Sequence, residues 1–504
     1  MRKVLVANRG EIAVRVIRAA RDAGIATVAV YSDCDRTARH VRAADEAWPL
    51  CGDRPADTYL RIDKLLDVAR RAGADAVHPG YGFLAENAEF AAACTAAGLT
   101  FIGPSAAAIR LMGSKTAARE AAIAAGVPVV PGTTSSLPTD APEPDVLQIA
   151  AGIGYPVMIK AVAGGGGKGM RLVTNAHELS GALRAARSEA LSAFGDGAVY
   201  LERRIDRPRH VEIQLLGDEH GTVVPFVERE CSVQRRHQKV LEESPSVAVD
   251  ASLRVAMAAA AGRIAHAVSY TNAGTIEFLL DDEGTFYFLE MNTRLQVEHP
   301  ITEAVTGTDL VQWQFRLAEG ARLGIDPETA LRPRGHAIEA RIYAEDPDQG
   351  FLPSPGRIAH LRVPAGPGVR EDGGYELNSE VPIFYDSLIS KLIAWGADRP
   401  EAIARLQRAL TEYEIAGIRT TIPFFQWLLA EPDFLGGRVD TTSLDRVLAS
   451  RNGMPFVVPD GDAETAAAIA AAVDAFFRRH SNGASGAAPA VSAWTRSARR
   501  DALR

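Results

Sequence analysis

Between Val4 and Gly103 the sequence alternates short apolar runs with helix-length segments, and this alternation restricts the fold more than any other feature. Val4-Leu5-Val6 ends at Asn8-Arg9-Gly10, and a helical pattern through Ile12, Val16 and Ala20 then stops at Gly24. Thr27 to Tyr31, Ala76-Val77-His78 and Phe101-Ile102-Gly103 supply further apolar runs. Strands separated by helices of this length pair in parallel as a doubly wound sheet, and the loops after such strands line clefts. Residues 1–113 are therefore predicted to form an α/β domain around a parallel sheet.

A different pattern begins near Ser114. Val157 to Ala161, a glycine loop and Arg171 to Thr174 predict a hairpin over a helix at 176–194. Closely spaced strands between 199 and 229 and a helix at 252–269 follow. Two further strands, 275–281 and 285–292, are joined by Asp281-Asp282-Glu283-Gly284. This unit, 114–320, ends where Pro and Gly thicken around 324–335. Residues 321–446 mix short strands with a helix at 400–411, which predicts a third, α+β domain. In the tail, 447–504, Ile469, Val473 and Phe476 fall at helical spacing within 462–480. Ser481 to Pro489 then reads as a linker and Val491 to Arg504 as a basic end. A length of 504 residues agrees with about three domains.

Composition removes several classes of function. A formal net charge of −8 does not suit a general nucleic-acid binder, although a basic cleft can sit inside an acidic whole. No stretch approaches the roughly 18 apolar residues of a membrane span. The first apolar run is too short for a signal-peptide core. Cys34, Cys51, Cys94 and Cys231 form no CxxC pair and read as reduced thiols of a cytoplasmic protein.

The densest chemical signal is GGGGKGM at 164–170, between two strand patterns. Four consecutive glycines weaken any regular element. They form either a pliant hairpin tip or a loop whose backbone N–H groups close on phosphate oxygens, with Lys168 adding charge. Neither GxxxxGK[ST] nor a GxGxxG after the first strand is present, which sets aside two common nucleotide fingerprints. Lys160 ends the preceding strand, and Lys115 opens a helix after Met112-Gly113-Ser114. Alone, each would be a solvated charge; facing one glycine loop, both are candidates for phosphate binding. Glu202 stands where the strand Val199-Tyr200-Leu201 runs into a polar loop.

A metal site is suggested further on. If the 275–292 hairpin turns symmetrically at Asp282 and Glu283, Glu290 faces Thr275 and lies diagonal to Glu277 on one sheet face, which Asn292 shares. Two carboxylates and an amide are the oxygen ligands that Mg²⁺ or Mn²⁺ prefers beside phosphates. In this register Phe286 and Phe288 share the face and make it partly apolar, unlike a solvated edge hairpin. Two loops are also dense in charge, ERECSVQRRHQK at 228–239 and EMNTRLQVEHPITE at 290–303. The first suits an anion. In the second, Arg294, Gln296 and Glu298 offer an anion clamp, an amide and a candidate general base, although either loop alone would pass for a solvated one.

Together these pieces resemble the ATP-grasp superfamily and, within it, the biotin carboxylase subunit or domain of biotin-dependent carboxylases. The resemblance runs from residue 1 to about 446. It rests on ANRGEIAVR (7–15), HPGYGFLAEN (78–87), GGGGKGM (164–170), RHVEIQ (209–214), ERECSVQRRHQK (228–239), EMNTRLQVEHP (290–300), EARIYAEDP (339–347) and FLPSPG (351–356). It implies an ATP site at Lys115, Lys160, Gly166, Gly167, Glu202, Arg203, Arg204, Ile205, His210 and His237. Glu277 and Glu290 would meet the nucleotide through two Mg²⁺ or Mn²⁺ ions, with Asn292 joining Glu290. Bicarbonate would sit between Lys239, Arg294, Gln296 and the backbone of Val297. Glu298 would be its base, kept ionised by Arg294 and Lys239, and Arg341 would stabilise the enolate of biotin. Residues about 130–204 correspond to the family's mobile lid.

The same resemblance implies partners: a separate biotin carboxyl carrier protein or domain, carboxyltransferase subunits and a second copy of the chain in a homodimer. Biotin is tethered to a lysine in a Met-Lys motif in such systems, and none of the seven methionines here is followed by lysine. The chain is therefore expected to carry no biotin itself, and its tail, with Phe476, Phe477, Trp494 and Arg496, Arg499, Arg500 and Arg504, is a candidate for docking the carrier. The glycine loop, which begins Ala163-Gly164 and has Lys168 after the glycines, resembles that of acyl-CoA carboxylase α-chains more than that of the shortest bacterial subunits. The function implied is the first half-reaction of an acetyl-CoA or acyl-CoA carboxylase. The alternatives are the equivalent subunit of a pyruvate carboxylase, another ATP-grasp carboxylate–amine ligase, and an idle nucleotide-binding scaffold.

Overall fold

The computed structural model describes residues 1–137, 143–162, 170–456 and 461–481. The chain divides into two units, Met1–Met454 and Pro455–Arg504. In the first, strands β1 (Lys3–Val6), β2 (Ala26–Tyr31), β3 (Glu46–Pro49), β4 (Ala76–His78) and β5 (Thr100–Phe101) form a parallel sheet in the order β3-β2-β1-β4-β5. Alternate residues of β1 feed two cores. Val4 and Val6 pack with Ile12, Val16 and Ile17 of helix α1 (Gly10–Asp22), whereas Leu5 packs on the other side with Tyr59, Leu65 and Phe90. A sheet buried on both faces accounts for the unbroken apolar runs from which a parallel sheet was expected.

Strands β6 (Val157–Ala161), β7 (Arg171–Val173) and β8 (Val199–Arg203) make a small antiparallel sheet in the order β7-β6-β8, covered by the helix Ala176–Phe194. The segment before β6 passes close to it: a Cβ on Gly132 would stand 2.3 Å from the carbonyl oxygen of Leu201, so glycine permits the approach.

The largest sheet is antiparallel and has eight strands. Its order is β13 (Phe286–Asn292), β12 (Asn272–Leu280), β9 (Arg209–Gly217), β10 (Val223–Arg235), β11 (Gln238–Ser244) and β14 (His336–Tyr343), continued by Leu388–Gly396 and Val369–Gly373. The C-terminal segment is thus α+β as expected, but its main strands extend the preceding sheet, because β14 pairs with β11 across the Pro/Gly-rich stretch. On one face Val211, Ile213, Ile276, Phe278 and Phe288 pack against Met257, Ala261 and Ile264 of the helix Ala251–Ala267. The alternating residues therefore line up on the opposite face, where register sets Glu212 of β9 beside Glu277 of β12 and Glu277 beside Glu290 of β13.

That register corrects the symmetric hairpin. Glu277 pairs directly with Glu290 and Thr275 with Asn292, while Phe278 pairs with Phe288, so Leu289 is an extra residue in β13. Such a bulge reverses the facing of the residues beyond it. Phe286 and Phe288 consequently point into the core with Phe278, away from Glu290. Two like charges directly opposite are unfavourable in a sheet, which makes the row of three glutamates a feature that requires cations.

In the second unit the helix Gly461–Ser481 forms where helical spacing predicted it, with Ile469, Val473 and Phe477 exposed. The linker and basic end, 482–504, lie outside the described residues. No helix among the described residues is long and apolar enough to cross a membrane.

Candidate active site

A cavity of about 590 Å³ is lined by β6 and β8 of the small sheet and by the acidic face of the large one. Lys239, on β11, stands over the glutamate row. Its Nζ donates to Glu212 Oε2 at 2.6 Å, to Glu277 Oε1 at 2.8 Å and to Glu298 Oε1 at 2.8 Å. Burial would strip the charge from an isolated ammonium, but Glu212, Glu277 and Glu298 outweigh it and hold the Lys239 pKa well above the usual lysine range. Behind them Arg229 is wholly buried and donates to Glu212, Gln214, Thr302 and Thr275. The acidic row is thereby neutralised on two sides.

Glu298 precedes the helix His299–Thr306 and is fully buried. Burial pushes its carboxyl up, yet Lys239, Arg341 and Arg229 overcome that and hold it well below the usual carboxylate range. The expectation that it is ionised holds, with one change of partner. Arg341 of β14, 3.0 Å away, is the second cation in contact with it. Arg294 instead directs Nε to Glu86 (2.9 Å), Nη2 to Asn292 (2.8 Å) and Nη1 to Gln296 (2.6 Å). Arg341 also lies 2.6 Å from Glu242, whose carboxyl is raised by burial to about 7 despite that contact.

The candidate metal ligands adjoin this group. Gln296 Nε2 donates to Glu277 Oε1 at 3.1 Å, and His210 Nε2 lies 3.1 Å from Glu277 Oε2. Burial raises the Glu277 carboxyl, but Lys239 and His210 bring it well below its usual range. Glu290 differs: burial and then Glu277 push its pKa up, and it has no ion pair among the described residues. The buried Nδ2 of Asn292 also lacks a hydrogen-bond partner. His210, Glu212 and Glu277 form a tighter set, with ligand atoms within 4.8 Å of one another, but Lys239 already bridges two of them. Glu290, without an ion pair among the described residues, could hold a divalent cation with Glu277 opposite it; Asn292 Oδ1, the ligand atom of that amide, accepts from Arg294 in this structure.

The far end of the cavity is basic. Lys115, first residue of the helix Lys115–Ala124, has its pKa lowered by burial against the pull of Glu290. Lys160 donates to Glu202 Oε2 at 2.5 Å, and Arg119 holds the other oxygen at 2.9 Å. Arg203, Arg204, Ile205 and His237 line the same cavity, as do His210, Lys239, Glu277, Glu290, Asn292, Arg294, Gln296, Val297, Glu298 and Arg341. Gly166 and Gly167 lie outside the described residues. Sequence reasoning singled out neither Glu212, Glu242, Arg229, Arg119 nor Glu86. Glu212 was within reach, as an acid at an alternate position of RHVEIQ; Glu86 binds a residue 208 positions away, which local pattern does not encode.

Known proteins match the chain closely. The family descriptions "Biotin carboxylase, N-terminal domain", "Carbamoyl-phosphate synthase L chain, ATP binding domain" and "Biotin carboxylase C-terminal domain" match residues 1–109, 114–326 and 339–446. A biotin carboxylase of Nostoc sp. is 53% identical over 440 residues, covering 87% of this chain and 98% of the relative. A pyruvate carboxylase subunit from Methanothermobacter thermautotrophicus is 52% identical, covering 88% and 89%. Among solved structures, the biotin carboxylase domain dimer of Hydrogenobacter thermophilus 2-oxoglutarate carboxylase, in complex with MgADP, ADP and bicarbonate, superposes with a TM-score of 0.86 at 46% identity, covering 91% and 99%. A biotin carboxylase–nucleotide complex from Campylobacter jejuni gives 0.85 at 44%, covering 88% and 98%.

Proposed function

Because the chain belongs to the biotin carboxylase family, we propose that it uses ATP and Mg²⁺ to join bicarbonate to biotin presented by a carrier, the first half-reaction of a biotin-dependent carboxylase. The observation that carries this reading is Glu298, an ionised carboxylate gripped by Lys239 and Arg341 in a cavity whose other end is basic.

In this account Lys115 and Lys160 bind the phosphates, with Gly166, Gly167, Glu202, Arg203, Arg204, Ile205, His210 and His237 completing the nucleotide site. Lys239, Arg294, Gln296 and Val297 N–H hold bicarbonate. Glu298 takes the bicarbonate proton while the anion's oxygen bonds to the γ-phosphorus and the bond to ADP breaks, which gives carboxyphosphate and ADP. The low pKa of Glu298 does not oppose this, since Lys239, the first of the cations that depress it, also holds the bicarbonate and acidifies that too. Carboxyphosphate then splits its C–O bond to CO₂ and phosphate. Phosphate removes the proton from the biotin ureido nitrogen, Arg341 balances the enolate charge, and the nitrogen attacks CO₂. Divalent metal held by Glu277, Glu290 and Asn292 would neutralise the phosphate charge that develops at transfer. Residues 130–204 would act as a lid that excludes water.

Manganese as an alternative ion, two metal sites, a homodimer and a separate carrier and carboxyltransferase belong to the same proposal. Supporting relatives include both a biotin carboxylase and part of a pyruvate carboxylase, so the final carboxyl acceptor depends on the transferase partner. The test is ADP release with bicarbonate, with and without free biotin: a marked rise on adding biotin is expected. Turnover that ignores biotin would favour an ATP-grasp ligase acting on another acid.

A further inference from the structure

Two consecutive carbonyls of the loop 294–298 are turned toward buried side chains that the mechanism above does not use. Gln296 O lies 2.8 Å from His299 Nδ1, and Val297 O accepts from Lys391 Nζ at 2.9 Å. Both anchors are fully buried. Lys391 is itself fixed 3.3 Å from Glu11 Oε2, at the start of α1. Burial, with Lys391, Arg15 and Arg370 nearby, keeps the His299 pKa well below the usual histidine range, so the ring is neutral. A carbonyl oxygen only accepts, so the single ring proton lies on Nδ1, and Nε2 is left without a partner.

This arrangement matters because of the peptide plane. In a trans peptide the C=O of Gln296 and the N–H of Val297 point in opposite directions. Pulling Gln296 O toward His299 therefore turns Val297 N–H the other way. Val297 lines the cavity, and its N–H makes no hydrogen bond among the described residues. We infer that His299 is a positioning residue for bicarbonate: through Gln296 O it aims the free N–H of Val297 at the anion, and Lys391 secures the next carbonyl so that the turn cannot relax. The inference rests on the bicarbonate site proposed above.

The test compares the KM for bicarbonate with the KM for ATP, from ADP release by the whole protein and its variants. His299→Leu removes the 2.8 Å ring donor and leaves Gln296 O only the longer bond, 3.4 Å, from the backbone N–H of residue 299, so the bicarbonate KM should rise by about tenfold while that for ATP changes little. His299→Asn places an amide N–H where Nδ1 was and should recover most of the lost affinity. If His299→Leu does not fold, His299→Gln replaces it, since its amide reaches the position of Nε2 instead, and the same rise is expected. An unchanged bicarbonate KM, a parallel rise for ATP, or an Asn variant as impaired as Leu would overturn the inference. Parent protein that releases ADP without regard to bicarbonate would overturn the underlying reading instead.

Discussion

Glu298→Gln is expected to lower bicarbonate-dependent ATP cleavage by about 10²- to 10⁴-fold, the range that a general base contributes. The substitution keeps the shape of the side chain and one oxygen for Lys239 or Arg341, so nucleotide binding should survive. What disappears is the acceptor for the bicarbonate proton and a negative charge between two cations. The pH profile adds a second reading. The folded-state pKa of Glu298 is depressed, so its carboxylate is present at neutral pH and is lost only as pH falls through that low value. A decline in rate just below neutrality would therefore come from another group, such as Glu242, whose pKa of about 7 places its titration there. Wild-type rates for Glu298→Gln at saturating bicarbonate would move the base to a different residue.

Glu290→Gln should remove most turnover, at least about 100-fold, because even outer-shell changes at metal sites cost 10–100-fold. Its carboxylate is the one in the glutamate row without an ion pair among the described residues, and it faces Glu277 directly. Removing that charge relieves repulsion inside the sheet, so the variant should fold at least as stably as the parent in chemical denaturation. Loss of activity with retained or increased stability is a combination that damage to the core does not produce. The variant should also need more Mg²⁺ for half-maximal rate. A magnesium titration and kinetics identical to the parent's would remove Glu290 from the metal site.

Much of this site could be read from sequence because its residues lie in short charged motifs at strand ends. Strand alternation put Glu277, Glu290 and Asn292 on one face, the motif resemblance supplied His210, and the parallel sheet followed from apolar runs separated by helix-length segments. The β12–β13 register did not follow in the same way. A single extra residue, Leu289, converts a diagonal pair into a direct one and turns Phe288 inward, and no propensity marks that position as a bulge. Charge compensation was hidden for another reason. Arg229 and Glu86 find their partners across strands or 208 residues away, where periodicity carries no information. His299 belonged to a quoted motif, yet its use depends on which backbone oxygen it meets.

The central claim is that an oxygen of bicarbonate becomes bonded to phosphorus on the enzyme. It is tested most directly by supplying ¹⁸O-labelled bicarbonate with ATP, Mg²⁺ and biotin and weighing the phosphate released. Attack on the γ-phosphorus followed by cleavage of the C–O bond predicts one labelled oxygen in each phosphate. Phosphate that instead takes its new oxygen from unlabelled water would mean that ATP is simply hydrolysed, and would contradict the account.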